Sequence, residues 1–174
     1  IAPAAFSGVN IKSLTIVNPN TIIGDYSFAN CELLEKVVFP TTSGVTINQH
    51  AFNYDKALVN LENLDSVKNV GDYAFANCKL LTGIEIKDNV KTIGNYAFSS
   101  CSRLSDVTFG EKVGTIGEHA FEHCVALTSV ELPETVKRLN SYAFQGCTRL
   151  ESVGLGKVTY LGQDLFSGCT SLKS

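Results

Sequence analysis

The hydrophobic positions of this chain recur with one spacing from end to end. A phenylalanine appears every 22 to 24 residues, at positions 6, 28, 52, 75, 98, 121, 144 and 166. Around each one the same pattern returns, best seen at 101–124 as C-x-x-L-x-x-V-x-F-x-x-x-V-x-x-I-G-x-x-A-F-x-x-C. Such a period is typical of a solenoid, in which a repeat must stack on its neighbours because it cannot bury its apolar side chains alone.

One segment of each repeat alternates apolar and polar residues with the period of a short strand. In LTSVELP, at 127–133, Val130 and Leu132 should point inward while Ser129 and Glu131 point outward. Strands that recur once per repeat, each followed by a return path of about a dozen residues, pair in parallel. The pattern therefore predicts a parallel sheet with strands centred at 37–39, 84–86, 107–109, 130–132 and 153–155.

The return path carries an Ile-Gly pair and then A-F-x-x-C-x-x-L. Glycine at Gly94 and Gly117 suits a tight bend or a backbone conformation that other residues avoid. Phe121, Cys124 and Leu127 are three residues apart, a spacing that places all three on one face of a short helical or 3₁₀ turn. We therefore expect an α/β repeat solenoid with short helical or 3₁₀ turns on its return path.

Composition narrows the classes of partner. The 174 residues are 44% hydrophobic and 18% charged, with a net charge of −3 and no run of lysine or arginine. Nucleic-acid binding, anionic-membrane binding and membrane insertion are therefore not expected. Residues 1–174 are interpreted as one domain of about seven repeats. Because both ends fall inside a repeat and lack a polar cap, we expect it to be a piece of a longer protein.

All six cysteines occupy the same place, three residues after a phenylalanine: Cys31, Cys78, Cys101, Cys124, Cys147 and Cys169. A buried thiol is a good small apolar filler, so we predict a ladder of free thiols inside the solenoid. Disulfides between adjacent turns are the alternative, because an even cysteine count in a secreted chain suggests pairing.

Chemistry-bearing motifs are few. His119 and His123 have a spacing that can bind zinc on a helix, but the turn is short, Cys124 should point inward and no fourth ligand is evident. The chain has no phosphate-binding glycine loop, no G-x-S-x-G and no H-E-x-x-H. We therefore predict no enzyme activity, no cofactor and no metal.

The pattern L-x-x-V-x-L-P-x-x-V-x-x-I-G-x-x-A-F-x-x-C, present at 127–147 with Leu139-Asn140 in place of Ile-Gly, resembles the BspA-like leucine-rich repeats, or Treponema pallidum class. The resemblance covers essentially the whole chain. It implies a right-handed curved solenoid with a parallel sheet on its concave face. It also implies a cell-surface or secreted microbial protein that adheres to host proteins or to other microbes.

Outward strand positions are small, polar and mildly acidic, and they include Glu62, Glu85, Asp106 and Glu131. They lack the Trp, Tyr and Arg anchors of strong binding hot spots. A second row, two residues before each phenylalanine, is aromatic, and its simplest interpretation is a stacked structural ladder. Its members are Tyr26, His50, Tyr73, Tyr96, His119 and Tyr142.

The unit around Phe52 departs from the pattern. Asp55 takes the cysteine place, Asn48 the glycine place and Asn63 an inward strand place. A buried carboxylate must be hydrogen-bonded to backbone N–H groups or turned out to solvent. We expect residues 43–64 to break the regular stack and to expose His50, Tyr54 and Glu62 differently from their counterparts, with simple decay of the repeat as the alternative. Because binding residues collect on irregular loops, the candidate partner site includes these three residues, together with the outward strand residues Glu85, Asp106 and Glu131.

The repeat pattern and the lack of enzyme motifs favour a non-enzymatic module, and the resemblance implies that it binds or adheres to a host or microbial surface protein. A structural spacer that presents other domains is the main alternative. An intracellular scaffold is the third, because six unpaired thiols suit a reducing compartment.

Overall fold

The alternating segments form β-strands in the computed structural model, which describes residues 1–173. They make up a first column of parallel strands, as predicted from the sequence. Its members are β1 (Ser13–Thr15), β3 (Lys36–Val38), β5 (Asn60–Glu62), β7 (Gly83–Ile86), β9 (Asp106–Phe109), β11 (Ser129–Glu131) and β13 (Ser152–Gly154). Val37 and Val130 point into the core and are buried, whereas Glu62 and Glu131 face out.

A second column of shorter strands lies on the return path. Its members are β2 (Ile22–Ile23), β4 (Val45–Ile47), β6 (Val67–Val70), β8 (Thr92–Ile93), β10 (Thr115–Ile116), β12 (Arg138–Leu139) and β14 (Tyr160–Leu161). They pair in parallel as one seven-stranded sheet. Ile93 and Ile116 are fully buried while Thr92 is exposed, so two residues suffice to place one side chain inside and one outside. The sequence analysis did not predict this sheet.

The first column is less continuous than the second. Its hydrogen-bonded ladders are β1–β3–β5, β7–β9 and β11–β13, with interruptions after β5 and after β9. Asn63 follows β5 at a φ of 61°, and its Nδ2 donates to the carbonyl oxygen of Phe39 over 3.0 Å. A 3₁₀ turn at Leu64–Ser66 then leads into β6. Asn63, which the alternation places inward, is instead exposed in the structure, and its amide caps a neighbouring carbonyl where the pairing ends.

The turns around each phenylalanine differ from the predicted helical or 3₁₀ form. Residues two before and two after the phenylalanine have positive φ, as in Tyr73 (55°) and Asn77 (63°), and this interrupts any helix. The N–H groups of Tyr73, Phe75 and Asn77 donate to three carbonyl oxygens of the next turn over 2.8 Å each. Their neighbouring carbonyls accept from the preceding turn. These turns thus form a third column, called the turn column below, in which the N–H groups of each turn donate to the carbonyl oxygens of the next.

The glycine of the Ile-Gly pair is required by a close approach of two turns. A Cβ on Gly94 would lie 2.5 Å from the main-chain carbon of Gly71, and one on Gly117 would lie 2.6 Å from that of Gly94. Neither glycine has positive φ. The side chain is therefore excluded by the main chain of the preceding turn, which is neither of the two reasons expected from the sequence.

The core is one apolar cluster that runs through the described chain. The phenylalanines stack along it, with the rings of Phe98 and Phe121 5.4 Å apart, and both side chains are fully buried. At the first turn, Phe6 is 46% exposed because no ring covers its outer side. The stability of the array is therefore a sum over neighbouring turns, with the strongest contributions in the middle.

Candidate interaction surface

The four strand carboxylates predicted as partner-binding residues all project from the first column and are exposed. Glu62, Glu85 and Glu131 stand at intervals that are multiples of 23 residues, so they occupy the same place in their turns. Asp106 pairs with Gly83 on the neighbouring strand, where no side chain covers it. The structure therefore aligns the three glutamates along the axis of the array, and Asp106 lies two residues earlier on its strand than the glutamate place.

Two of these carboxylates have partners within the array. Lys36 Nζ lies 2.7 Å from Glu62 Oε1, and Lys87 forms an ion pair with Glu85. Both pairs are largely exposed, so each is worth only about 0–1 kcal/mol. Asp106 and Glu131 form no ion pair with the residues that the structure describes. All four carboxylates are thus available to an incoming cation.

A second acidic row, which the sequence analysis missed, borders the first. Asp65, Asp88, Glu111 and Glu134 follow the strands at intervals of 23 residues and are exposed. A groove of about 500 Å³ lies between the rows, lined by Asp65, Glu85, Asp88, Phe109 and Glu111 among others. The spacing alone could have revealed this row, because the period that aligns Glu62 with Glu85 also aligns Asp65 with Asp88. The eight carboxylates are called the acidic strip below.

His50 and Tyr54 lie elsewhere, in the turn column, where both have positive φ. The His50 ring is half-buried and its Nδ1 lies 3.0 Å from Asn53 Nδ2. Burial lowers the pKa of His50, against the opposing effect of Asp25 and Asp72. Tyr54 is 44% exposed. No hydrogen bond or ion pair among the described residues joins either side chain to the strand carboxylates, so the structure does not bring the six predicted residues into one cluster.

The aromatic row forms the stacked ladder that was its simplest interpretation. Its rings are 4.4 to 4.7 Å apart at their centroids and within 11° of parallel. Every member has positive φ, a conformation that costs a residue with a side chain about 1–2 kcal/mol. The contacts between the rings offset part of that cost. Most ring faces are therefore covered by other rings.

Asp55 is fully buried, and its Oδ1 accepts the main-chain N–H of Cys31 over 2.8 Å. This is the first of the two outcomes expected for a carboxylate at the cysteine place. The predicted break over 43–64 is confined to parts of the unit. The stacked rings of His50 and Phe52 continue without a gap, while the register shifts between Val45 and Thr46 and the first column stops after β5.

The two histidines that suggested a metal site flank a carboxylate. His119 Nδ1 lies 3.2 Å from Glu122 Oε1, and His123 Nε2 lies 3.9 Å from the same oxygen. Ser99 Oγ donates to Glu122 Oε2 over 3.3 Å. In the described part of the chain, no group of three or more His, Cys, Asp or Glu side chains is arranged to hold a metal ion. The two histidines and Glu122 therefore form a cluster within one turn, and Ser99 of the preceding turn bonds to its carboxylate.

The six cysteines are free thiols in the structure. Each Sγ donates to the main-chain carbonyl oxygen of the phenylalanine one turn earlier, as Cys101 does to Phe75 over 3.2 Å and Cys124 does to Phe98 over 3.2 Å. Burial raises the pKa of Cys101 to about 12 and that of Cys124 well above its ordinary value. These thiols fill space in the core and also donate hydrogen bonds to main-chain carbonyl oxygens.

Comparison with known proteins identifies the family of the repeat. The profile of the BspA type leucine-rich repeat region matches six copies, over residues 1–102 and 68–174. The chain belongs to this family. A solved structure of the T. pallidum leucine-rich repeat protein is 32% identical over all of this chain and 71% of its own, with a TM-score of 0.79.

More distant structures share the fold. A leucine-rich cell-surface protein from Faecalibacterium prausnitzii is 21% identical and has a TM-score of 0.64, with 99% of this chain matched to 61% of its own. The pneumococcal vaccine antigen PcpA is 19% identical, with a TM-score of 0.51 over 90% of this chain and 44% of its own. None of the curated proteins compared matches the chain significantly. The described part of the chain contains no helix that could span a bilayer.

Proposed function

We propose that this chain is a non-enzymatic protein-binding module of a microbial cell-surface leucine-rich repeat protein, and that it binds a host or microbial surface protein. The observation that carries the proposal is the acidic strip, which follows the strands of the first column over one continuous core. The backbone of such a scaffold loses little further freedom when a partner binds, which favours affinity. The surface localisation rests on family resemblance.

The negative charge of the strip favours a partner with a basic surface. Aligned carboxylates attract a basic surface during diffusion and discriminate against an acidic one. Glu62 and Glu85 already hold lysines in exposed pairs, and such pairs exchange partners at little cost because water screens them. Binding by the strip should therefore weaken as ionic strength rises. The alternative role as a spacer predicts no saturable binding by the isolated chain.

The test is saturable binding of the purified chain to a panel of purified host extracellular proteins and to intact bacterial cells. One variant carries Glu62→Gln, Glu85→Gln and Asp106→Asn. A matched control carries Glu32→Gln, Glu118→Gln and Glu151→Gln, which remove three exposed carboxylates outside the strip. The proposal expects binding to be lost in the first variant and kept in the second. Equal binding by both, or no saturable binding by the unaltered chain to any panel member, contradicts it.

A further inference from the structure

Asp55 occupies a place that a thiol fills in the turns on either side. In those turns the thiol donates to the phenylalanine one turn earlier: Cys31 Sγ to the Phe6 carbonyl and Cys78 Sγ to the Phe52 carbonyl, each over 3.3 Å. By the same register, the carbonyl of Phe28 is the acceptor that corresponds to position 55. That oxygen receives no hydrogen bond from the residues that the structure describes. The regular ladder thus lacks one donor at this point.

The carboxyl group of Asp55 has one oxygen without a partner. Oδ1 accepts the N–H of Cys31, a group that in the regular turns bonds within its own turn, as Cys78 N–H does to the carbonyl of Phe75. Oδ2 is buried and forms no hydrogen bond within residues 1–173. A carboxylate offers only acceptors, whereas a carboxylic acid offers one O–H donor. One proton on Oδ2 would therefore supply the donor that the ladder lacks.

We propose that the protonation of Asp55 controls the packing between turns. The neutral acid holds its own turn between the Cys31 and Cys78 turns, and ionisation loosens this part of the stack. The strongest effect should be the exposure of the Cys31 and Cys78 thiols, which flank Asp55. Thiols further along the array, such as Cys124, keep their neighbours and stay protected.

The groups around Asp55 favour the protonated form of its carboxyl group. Among the described residues, none of the cationic groups pairs with Asp55; the adjacent Lys56 binds Glu32 at the surface over 3.1 Å. The facing titratable groups are the two thiols, and burial raises the pKa of Cys31 to about 11 and that of Cys78 well above its usual value. Burial likewise raises the pKa of Asp55, from 3.8 to about 8, against the opposing hydrogen bond from Cys31.

The sign of the pH effect follows from that pKa. In the opened state, where the stack around Asp55 is loosened, the carboxyl group loses its proton once pH exceeds 3.8. In the closed, packed state it keeps the proton up to a pH of about 8. The closed state binds more protons in this interval, so opening becomes easier as pH rises through it. The equilibrium constant for opening should rise about tenfold per pH unit between about 5 and 8 and then level off.

The experiment measures, from pH 5 to 9, the rate at which each thiol attacks a dipyridyl disulfide and releases pyridinethione, a reaction that proceeds even at acidic pH. Mass spectrometry resolves the sites, and each rate is divided by that of the same cysteine in denaturant at the same pH. Protection of Cys31 and Cys78 is expected to fall about tenfold per pH unit, while protection of Cys101 and Cys124 changes far less.

Two variants distinguish an effect of Asp55 ionisation from a general loosening of the array. Asp55→Asn keeps both an acceptor and a donor without a titrating proton, and Asp55→Cys restores the thiol ladder, so both should abolish the pH slope at Cys31 and Cys78. The proposal is overturned if the unaltered chain has no slope, if all six thiols lose protection together, or if either folded variant keeps the slope.

Discussion

The Sγ of Cys101 donates to the carbonyl oxygen of Phe75 in the preceding turn over 3.2 Å. The same bond links Cys78 to Phe52 and Cys147 to Phe121. Because most of these thiols are buried and the pKa of Cys101 is raised to about 12, few thiolates form at neutral pH. Titration with a thiol reagent at pH 7 should find few reactive groups in the folded chain and six in denaturant. A total below six without reductant would indicate disulfides.

The phenylalanine column should dominate stability in the middle of the array. Phe98 is fully buried between the rings of Phe75 and Phe121, so Phe98→Ala should lower the free energy of unfolding by about 3–5 kcal/mol. Phe6 is 46% exposed and has a ring on one side only, so Phe6→Ala should lower it by less. Urea unfolding of both variants checks the order. Equal losses at the two positions would contradict the packing described here.

The close approach at the Ile-Gly place makes a further prediction about stability. In Gly94→Ala the new methyl group would lie 2.5 Å from main-chain atoms, which cannot yield as a side chain can, so a loss of about 1–3 kcal/mol is expected. Gly114 is the control, because a Cβ there lies 3.8 Å or more from any neighbour. Gly114→Ala should change the unfolding free energy by no more than about 0.5 kcal/mol. The two glycines behaving alike would refute this explanation.

The ring ladder leads to an unusual order of substitutions. Tyr96 has a φ of 56° and stacks on Tyr73 and His119, so Tyr96→Ala loses both ring contacts and keeps the strained backbone. Tyr96→Gly loses the same contacts but removes the strain. Glycine should therefore be more stable than alanine at this position by about 1 kcal/mol, the reverse of the usual order within a helix or strand. Thermal unfolding of the two variants measures the difference.

Much of the fold could be predicted because each feature has a strong periodic signal. The alternation around Val130 located the first column, and the common place of the six cysteines indicated their burial. The second column carried no such signal, because a two-residue strand such as β8 is too short to show alternation. The turns were predicted as helical because the spacing of Phe121 and Cys124 fits that form, and spacing cannot reveal positive φ at His119 and His123.

The candidate site could be predicted only in part. Outward strand positions follow from the same alternation, so Glu62 and Glu131 were identified correctly as exposed. The neighbouring row that includes Asp88 lies after the strands, where the alternation ends, and only its spacing of 23 residues could have indicated it. His50 was grouped with the strand residues because it lies in the same irregular unit. Sharing a unit does not place two residues in one column.

The last prediction concerns where along the acidic strip a partner binds. The first column is interrupted after β5, next to Glu62, and Tyr54 is 44% exposed in the same unit. The Phe121 unit offers matched places, because His123 and Glu131 stand two and ten residues after their phenylalanine as Tyr54 and Glu62 do. Asparagine tolerates positive φ, so it can replace Tyr54 or His123 with little backbone strain.

We expect Tyr54→Asn with Glu62→Gln to weaken binding to a protein captured in the panel assay about tenfold or more, because irregular segments on a rigid scaffold tend to carry binding residues. His123→Asn with Glu131→Gln should weaken it far less. Binding is measured by surface plasmon resonance, and unfolding of both variants by urea confirms that stability is unchanged. If only the His123 and Glu131 pair abolishes binding, the partner contacts the regular part of the strip and the irregular Phe52 unit has no part in recognition.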